Sequence, residues 1–115
     1  MSDIKRGDVV FIHNGFTEGC LIKKDRPAIV ISNDKANESS NNICVAYLSS
    51  KLKRLDLPTH VLIRFYQGLP YPSVVQVEQL TTVSKNNVMA VLDHLREEDV
   101  IAVNNAIKIS LGLEV

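Results

Sequence analysis

The stretch Arg26-Pro27-Ala28-Ile29-Val30-Ile31-Ser32-Asn33 decides the fold of this chain. Its β-branched run, Ile29–Ile31, is too short for a helix and strongly favours extended structure, so it predicts a buried strand. Pro27 suits the first residue of such a strand, where no ladder hydrogen bond is needed. Arg26 would then place its guanidinium group at the start of this strand. A rigid element of this kind suits a functional site.

Further strands are predicted on both sides of this stretch. Val9–Ile12 precede it, and Ile43–Leu48 follow it, apolar at nearly every position, as a strand covered on both faces. His60–Phe65 and Val74–Gln79 each place apolar residues at alternate positions, which predicts strands with one buried face. The polar stretch 33–42 predicts a surface loop with room for a short helical turn, and the sequence leaves the structure of 81–92 open.

The end of the chain changes to a helical period. Acidic residues at 97–99 suit a helix N-terminus, a stripe of apolar residues follows, and Gly112 suits a stop. The stripe consists of Val100, Val103, Ile107 and Leu111. About five strands and one C-terminal helix predict an α+β fold, mainly β, with a small antiparallel barrel closed by the helix. We expect one domain, residues 1–115.

Composition narrows the functional classes. The chain is 45% hydrophobic with mixed charges, which indicates a folded globular protein. Its net charge of zero argues against a protein that wraps nucleic acid regardless of sequence, but it allows a local basic patch. We expect a cytoplasmic protein, because no apolar run approaches a membrane span and no signal peptide begins the chain. Cys20 and Cys44 lack metal-ligand spacing, and we expect both to be reduced, Cys44 in the core.

Two strand ends carry the candidate chemistry. The guanidinium of Arg26 matches carboxylate or phosphate oxygens, and the alternative is a surface ion pair with Asp25, Asp34 or the C-terminal helix. Ser49 and Ser50 end the next long strand, where only one of them can face a site beside Arg26. The alternative for these serines is simple capping of the strand end.

Other side chains extend these candidates. Lys51, Lys53 and Arg54 form a basic cluster that attracts a phosphate backbone or is simply a solvated edge. Phe16 either stacks on an unpaired base or packs into the core. Glu78 and Gln79 end the last alternating strand, where their polar groups suit the edges of bases, although Glu78 equally suits an ion pair inside the fold.

Histidine is the residue type whose ordinary pKa suits a general base. His13 lies in the first glycine-rich loop, which can border a site, whereas His60 and His94 suit structural roles better. No second metal ligand lies at a useful spacing from any of the three, so we expect no metal and no cofactor.

As a set, these residues resemble the MazF/PemK family of toxin endoribonucleases, nearly along the whole chain and in order. The segments that carry the resemblance are Gly7–Val9, Arg26–Asp34, Ile43–Ser49, Leu57–Val61, Ser73–Val75, Val77–Leu80 and Ile107–Leu111. The resemblance implies an SH3-like or CcdB-like barrel, a homodimer and a MazE-like antitoxin partner. It also implies metal-independent cleavage of single-stranded RNA by the 2′-hydroxyl, which leaves a 2′,3′-cyclic phosphate and a 5′-hydroxyl.

The resemblance also implies roles for individual residues. The family's catalytic arginine falls on Arg26, and its catalytic hydroxyl, usually a threonine, falls on Ser49, with His13 as the base to test. The first loop, 15–19, lacks the glutamine that many relatives carry, so the cleavage motif is not predicted. The residues expected to contact RNA are Phe16, Thr17, Asn33, Asn37, Ser50, Lys51, Lys53, Glu78 and Gln79.

A non-enzymatic alternative remains on the same fold. CcdB-like toxins bind a protein target, DNA gyrase, through the C-terminal end of the chain, typically with an exposed aromatic residue there. This chain has no aromatic residue after Tyr71, which counts against that alternative.

Overall fold

A computed structural model describes residues 3–14 and 25–113. A sheet and two helices account for most of this part of the chain. The elements are β1 (Asp8–Ile12), β2 (Arg26–Val30), α1 (Asp34–Ser39), β3 (Asn42–Ser49), β4 (His60–Ile63), β5 (Ser73–Ser84), β6 (Val88–His94) and α2 (Glu97–Ser110). A 3₁₀ turn, Lys85–Asn87, joins β5 to β6.

The strands form one antiparallel sheet in the order β4-β5-β3-β2-β1-β6. The predicted α+β class with a C-terminal helix is therefore confirmed. The sheet is not closed into the predicted barrel, because within the described residues β4 pairs only with β5 and β6 only with β1.

The segment that the sequence left open, 81–92, consists of the end of β5, the 3₁₀ turn and most of β6. Its strand pattern is hidden because Met89 and Val91 are apolar yet exposed, while Val88 on the same strand is buried. Apolar residues on both faces remove the alternation that identifies a half-buried strand.

The strand β4 ends at Ile63, two residues earlier than predicted. Phe65 adopts a left-handed backbone (φ 66°) and exposes 84% of its surface, so it does not continue the buried face. The guanidinium of Arg96 supports this turn by donating to the carbonyl oxygens of Arg64 (2.7 Å) and Phe65 (3.2 Å).

Alternation along the central strands divides the core between the two faces of the sheet. Val9, Ile29 and Ala46 belong to the cluster that packs against Val103 and Ala106 of α2. Their strand neighbours build the second cluster on the opposite face; these are Val10, Ala28, Val30, Val45 and Tyr47. The sheet is thus rigid on both faces next to the start of β2.

Three expectations about apolar positions change in detail. Val100, Val103 and Ile107 of the predicted stripe do pack into the core, but Leu111 lies beyond the end of α2 and is exposed. Gly112 ends the helix in the left-handed conformation (φ 72°), as predicted. Cys44 is only partly buried rather than a core residue, because it points away from the cluster that takes its neighbours in β3; this partial burial raises the pKa of its thiol.

Tyr66 connects the turn after β4 to the start of α2 through hydrogen bonds. Its hydroxyl donates a hydrogen bond to the carboxylate of Asp99 and accepts one from the backbone N–H of Arg96 (2.9 Å). The guanidinium of Arg96 lies 4.2 Å from the centroid of the Tyr66 ring. Burial, followed by the hydrogen bond to Asp99, raises the pKa of Tyr66 to about 12.

Alkaline pH should weaken the contribution of the Tyr66 hydroxyl to stability. An unfolded tyrosine ionises near pH 10, so the folded state holds this proton more tightly and its contribution is complete below that pH. As pH rises from 10 to 11.5, the native chain should lose about 1.5 kcal/mol of unfolding free energy that the Tyr66→Phe variant does not lose. Urea unfolding of both proteins at the two pH values measures this; equal losses would contradict it.

Candidate active-site cleft

Strand register brings Arg26 and Ser49 together. In the antiparallel β2–β3 pair, Ala28 lies opposite Tyr47, and the same register continued by two residues places Arg26 opposite Ser49. Residues two apart along a strand share a face, so both side chains lie on the face of Ala28 and Tyr47. Two of the three predicted catalytic residues thus lie at the same end of the sheet, where β2 begins and β3 ends.

The guanidinium of Arg26 is held in one orientation by β3. Its Nη2 donates a hydrogen bond to the carbonyl oxygen of Leu48 (2.8 Å), and the group lies 5.4 Å from the centroid of the Tyr47 ring. A guanidinium has five N–H donors, so several remain for an anion. Within residues 3–14 and 25–113 Arg26 forms no ion pair: Asp25 pairs instead with His13, and Asp34 accepts the backbone N–H of Arg6.

Ser49 has the capping role that its sequence position suggested, and its hydroxyl hydrogen remains for a ligand. Its Oγ accepts a hydrogen bond from the backbone N–H of Lys51 (3.2 Å), which is the capping role. A hydroxyl that accepts one hydrogen bond still has its own hydrogen to donate. This contact also limits rotation of the serine, which lacks the methyl group that restricts a threonine.

An open cleft of about 900 Å³ lies beside these two residues. Five of the predicted site residues line it, and the described lining has two cationic side chains and no acidic one. The five are Arg26, Ser49, Ser50, Lys51 and Gln79. A chain of zero net charge thus carries a locally positive cleft, which favours an anionic ligand such as a phosphate.

The structure does not bring His13 into the described cleft lining. Its Nδ1 lies 3.0 Å from the carboxylate of Asp25, one position beyond the paired residues Ile12 and Arg26. In an extended chain this position points to the face opposite that of Arg26. The pair lies next to the cleft without lining it.

Two predicted RNA contacts have local structural roles. Asn33 caps α1, because its side-chain oxygen accepts the backbone N–H of Ala36 (2.8 Å). Asn37 exposes only 1% of its surface, and its amide bonds both the hydroxyl and the carbonyl oxygen of Ser32. Burial leaves Asn37 no surface for RNA, which corrects the prediction that it contacts the substrate.

The remaining predicted contacts border the cleft or lie outside the described residues. Glu78 is paired with Nε2 of His60 (2.8 Å), and the other ring nitrogen of His60 lies 3.2 Å from the carbonyl oxygen of Lys53. Neither Glu78 nor the exposed Lys53 is part of the cleft lining. Phe16 and Thr17 belong to the segment 15–24, outside the described residues.

Sequence reasoning missed several residues of the lining, chiefly Phe11, Tyr71 and Gln76. Tyr71 exposes 68% of its surface in the turn between β4 and β5. An aromatic residue between Pro70 and Pro72 is a signal that could have identified it, because prolines favour turns and turns lie at the surface. Gln76 lies on the same polar face of β5 as Glu78. The alternation of apolar and polar residues in this strand does indicate that face.

Two features are absent from residues 3–14 and 25–113. These residues contain no cluster of three or more His, Cys, Asp or Glu side chains placed to hold a metal ion together. Neither of their helices has both the length and the apolar character required to cross a membrane.

Comparison with known proteins gives a consistent result. Residues 5–111 match the family described as the PemK-like, MazF-like toxin of type II toxin–antitoxin systems. The protein named endoribonuclease MazF from Staphylococcus saprophyticus is 35% identical over 111 residues, covering 96% of this chain and 92% of that protein. The protein of the same name from Staphylococcus epidermidis is 36% identical over 111 residues, again covering 96% of this chain and 92% of that protein.

Solved structures share the fold. A mycobacterial endoribonuclease in complex with its cognate antitoxin superimposes with a TM-score of 0.79 at 20% identity, covering 100% of this chain and 99% of that one. MazF from Deinococcus radiodurans gives a TM-score of 0.79 at 18% identity, covering 96% and 98%.

Proposed function

The chain belongs to the PemK-like, MazF-like toxins of type II toxin–antitoxin systems, and from this premise we propose that it is an endoribonuclease that cleaves single-stranded RNA. The observation that carries the proposal is the meeting of Arg26 and Ser49 in a cleft with two cationic and no acidic side chains among its described lining. Its relatives named endoribonuclease MazF support the same reaction, and none of the observations favours the gyrase-binding alternative.

The reaction that suits this cleft is a transesterification within the RNA. The 2′-oxygen attacks the neighbouring phosphorus as it loses its proton, and the bond from phosphorus to the 5′-oxygen breaks. The leaving 5′-oxygen takes up a proton, so the ends are a 2′,3′-cyclic phosphate and a 5′-hydroxyl, and no water is consumed.

Each residue has a role that follows from its donors. Arg26 binds the scissile phosphate and stabilises the negative charge that grows on it, since preorganised donors aimed at developing charge give large rate effects. With a pKa above about 12, an arginine is poorly matched to act as a base near neutral pH. Ser49 donates a second hydrogen bond to the phosphate, and Lys51 attracts the backbone beside it.

The base that accepts the 2′-proton has no assignment among the described lining residues, which include no histidine or carboxylate. His13 stays the candidate to test, although its Nδ1 is paired with Asp25 on the face of the sheet opposite that of Arg26.

The proposal includes the partners of the reaction. The mycobacterial neighbour was solved with its cognate antitoxin, and we extend that kind of partner, a MazE-like antitoxin, to this chain. We also propose a homodimer that acts in the cytoplasm, where messenger RNA is the available single-stranded substrate.

Cleavage should depend on the substrate's 2′-hydroxyl and not on a metal ion. Purified protein incubated with a long RNA of mixed sequence should give fragments with 5′-hydroxyl ends, at the same rate with and without EDTA. RNA methylated at the 2′-oxygen of the cut nucleotide, and DNA of the same sequence, should resist cleavage completely. Loss of activity in EDTA would contradict the mechanism, and intact RNA together with inhibited gyrase would instead support the non-enzymatic alternative.

A further inference from the structure

The strand β5 departs from regular pairing beside the cleft. Ala46 of β3 lies opposite Leu80, but Leu48, two residues later, lies opposite Val75, so β5 contains three extra residues between these pairs. Bulges of this kind re-aim side chains and are common next to active sites. This one explains how Gln76 and Gln79, which a regular strand would direct to opposite faces, both line the cleft.

The amide of Gln76 is available to a ligand. The residue is partly exposed, and within residues 3–14 and 25–113 the structure gives its side chain no hydrogen-bond partner. An amide presents a donor and an acceptor side by side. The exposed edge of an unpaired nucleobase presents the complementary pair, which is how proteins distinguish bases in single-stranded RNA.

Tyr71 lies across the same cleft in the turn before β5. Its neighbours Pro70 and Pro72 each have a fixed backbone angle, and the hydroxyl of Ser73 donates to the carbonyl oxygen of Tyr71 (3.2 Å). The backbone that presents the exposed ring to the cleft is therefore restrained before a ligand arrives. Exposed aromatic rings that line a positively charged groove are typical stacking platforms for bases.

We propose that Tyr71 and Gln76 form a nucleobase subsite, in which the base stacks on the Tyr71 ring and the Gln76 amide bonds its edge. The subsite selects the nucleotide next to the phosphate that Arg26 holds, and it therefore determines one position of the cleavage motif. This inference rests on the proposed endoribonuclease function. A cleft of about 900 Å³ has room for a base as well as the phosphate.

The two residues should give separable effects. Tyr71→Ala should raise KM for RNA by about ten-fold to one hundred-fold, the range for loss of one stacked base, whereas Tyr71→Phe keeps the ring and should behave like the native chain. Gln76→Leu keeps the size but removes the amide, so it should relax the preference for one base in the motif. Gln67→Leu, an exposed glutamine outside the cleft lining, is the matched control and should keep the native motif.

The test maps the cut ends in a long mixed-sequence RNA and measures kinetics on one short substrate with each variant. A native motif for Gln76→Leu together with a native KM for Tyr71→Ala would overturn the subsite. Should the native protein not cleave RNA, the proposed function fails, and binding to 2′-O-methylated RNA then tests the subsite independently. In that assay Tyr71→Ala should weaken the Kd about ten-fold or more, and an unchanged Kd would overturn the subsite.

Discussion

The Arg26→Ala variant should cleave single-stranded RNA about 10²–10³-fold more slowly than the native chain, because one preorganised donor to developing negative charge contributes about this much. The loss should appear mainly in kcat, since the charge on the phosphate grows in the transition state. Arg26→Lys should recover part of the rate, because it keeps the positive charge but loses the planar fork of donors. Single-turnover cleavage of a short RNA measures both variants.

Folding should not confound this result. The side chain of Arg26 contacts the carbonyl oxygen of Leu48 and the ring of Tyr47, and both belong to β3, which the sheet holds on each side. Arg64→Ala is the matched control: this arginine is exposed and lies outside the cleft lining. It should cleave at the native rate, and an Arg26→Ala variant as fast as this control would remove Arg26 from the reaction.

The second large effect concerns stability rather than catalysis. Asn37→Ala should lower the free energy of unfolding by about 2–3 kcal/mol, because removing one partner leaves buried polar groups unsatisfied. The Nδ2 of Asn37 donates to the carbonyl oxygen of Ser32 (2.8 Å), and its Oδ1 accepts the hydroxyl of the same residue. That hydroxyl in turn accepts the backbone N–H of Cys44 (3.0 Å), so the loss would extend to the start of β3.

Urea unfolding with an unchanged m-value is the measurement that isolates this effect. Asn105→Ala on the exposed side of α2 is the matched control, and it should be neutral or slightly stabilising, since alanine favours a helix more than asparagine does. The folded Asn37→Ala protein should keep the native kcat, because the residue is buried away from the cleft. A lower kcat with unchanged stability would restore the original prediction that Asn37 contacts RNA.

The elements that the sequence predicted correctly are those with an unambiguous pattern. The apolar run of β3 and the apolar stripe of α2 each indicate one type of secondary structure. Arg26 and Ser49 were predicted at the ends of two strands, and the pairing of those strands places them opposite each other. β6 was missed because Met89 and Val91 leave apolar residues on both of its faces.

The part of the cleft that escaped prediction depends on contacts between distant segments. Tyr71 reaches it through the turn between β4 and β5, and Gln76 through the bulge in β5. Neither an exposed turn nor a bulge changes the local alternation enough to be recognised from one chain. The roles of Arg26, Ser49, Tyr71 and Gln76 in catalysis and recognition stay predictions for the experiments above.

Cross-strand pairing also sets where this chain can change in length during evolution. The crossover 31–41 between β2 and β3 contains α1 and contributes no residue to the described cleft lining, so insertions or deletions there would leave the geometry of cleavage intact. One residue added inside β3 before Ser49 would turn that hydroxyl to the other side of the sheet. We therefore expect natural divergence in this toxin to accumulate in the crossover and to spare the spacing within the two strands.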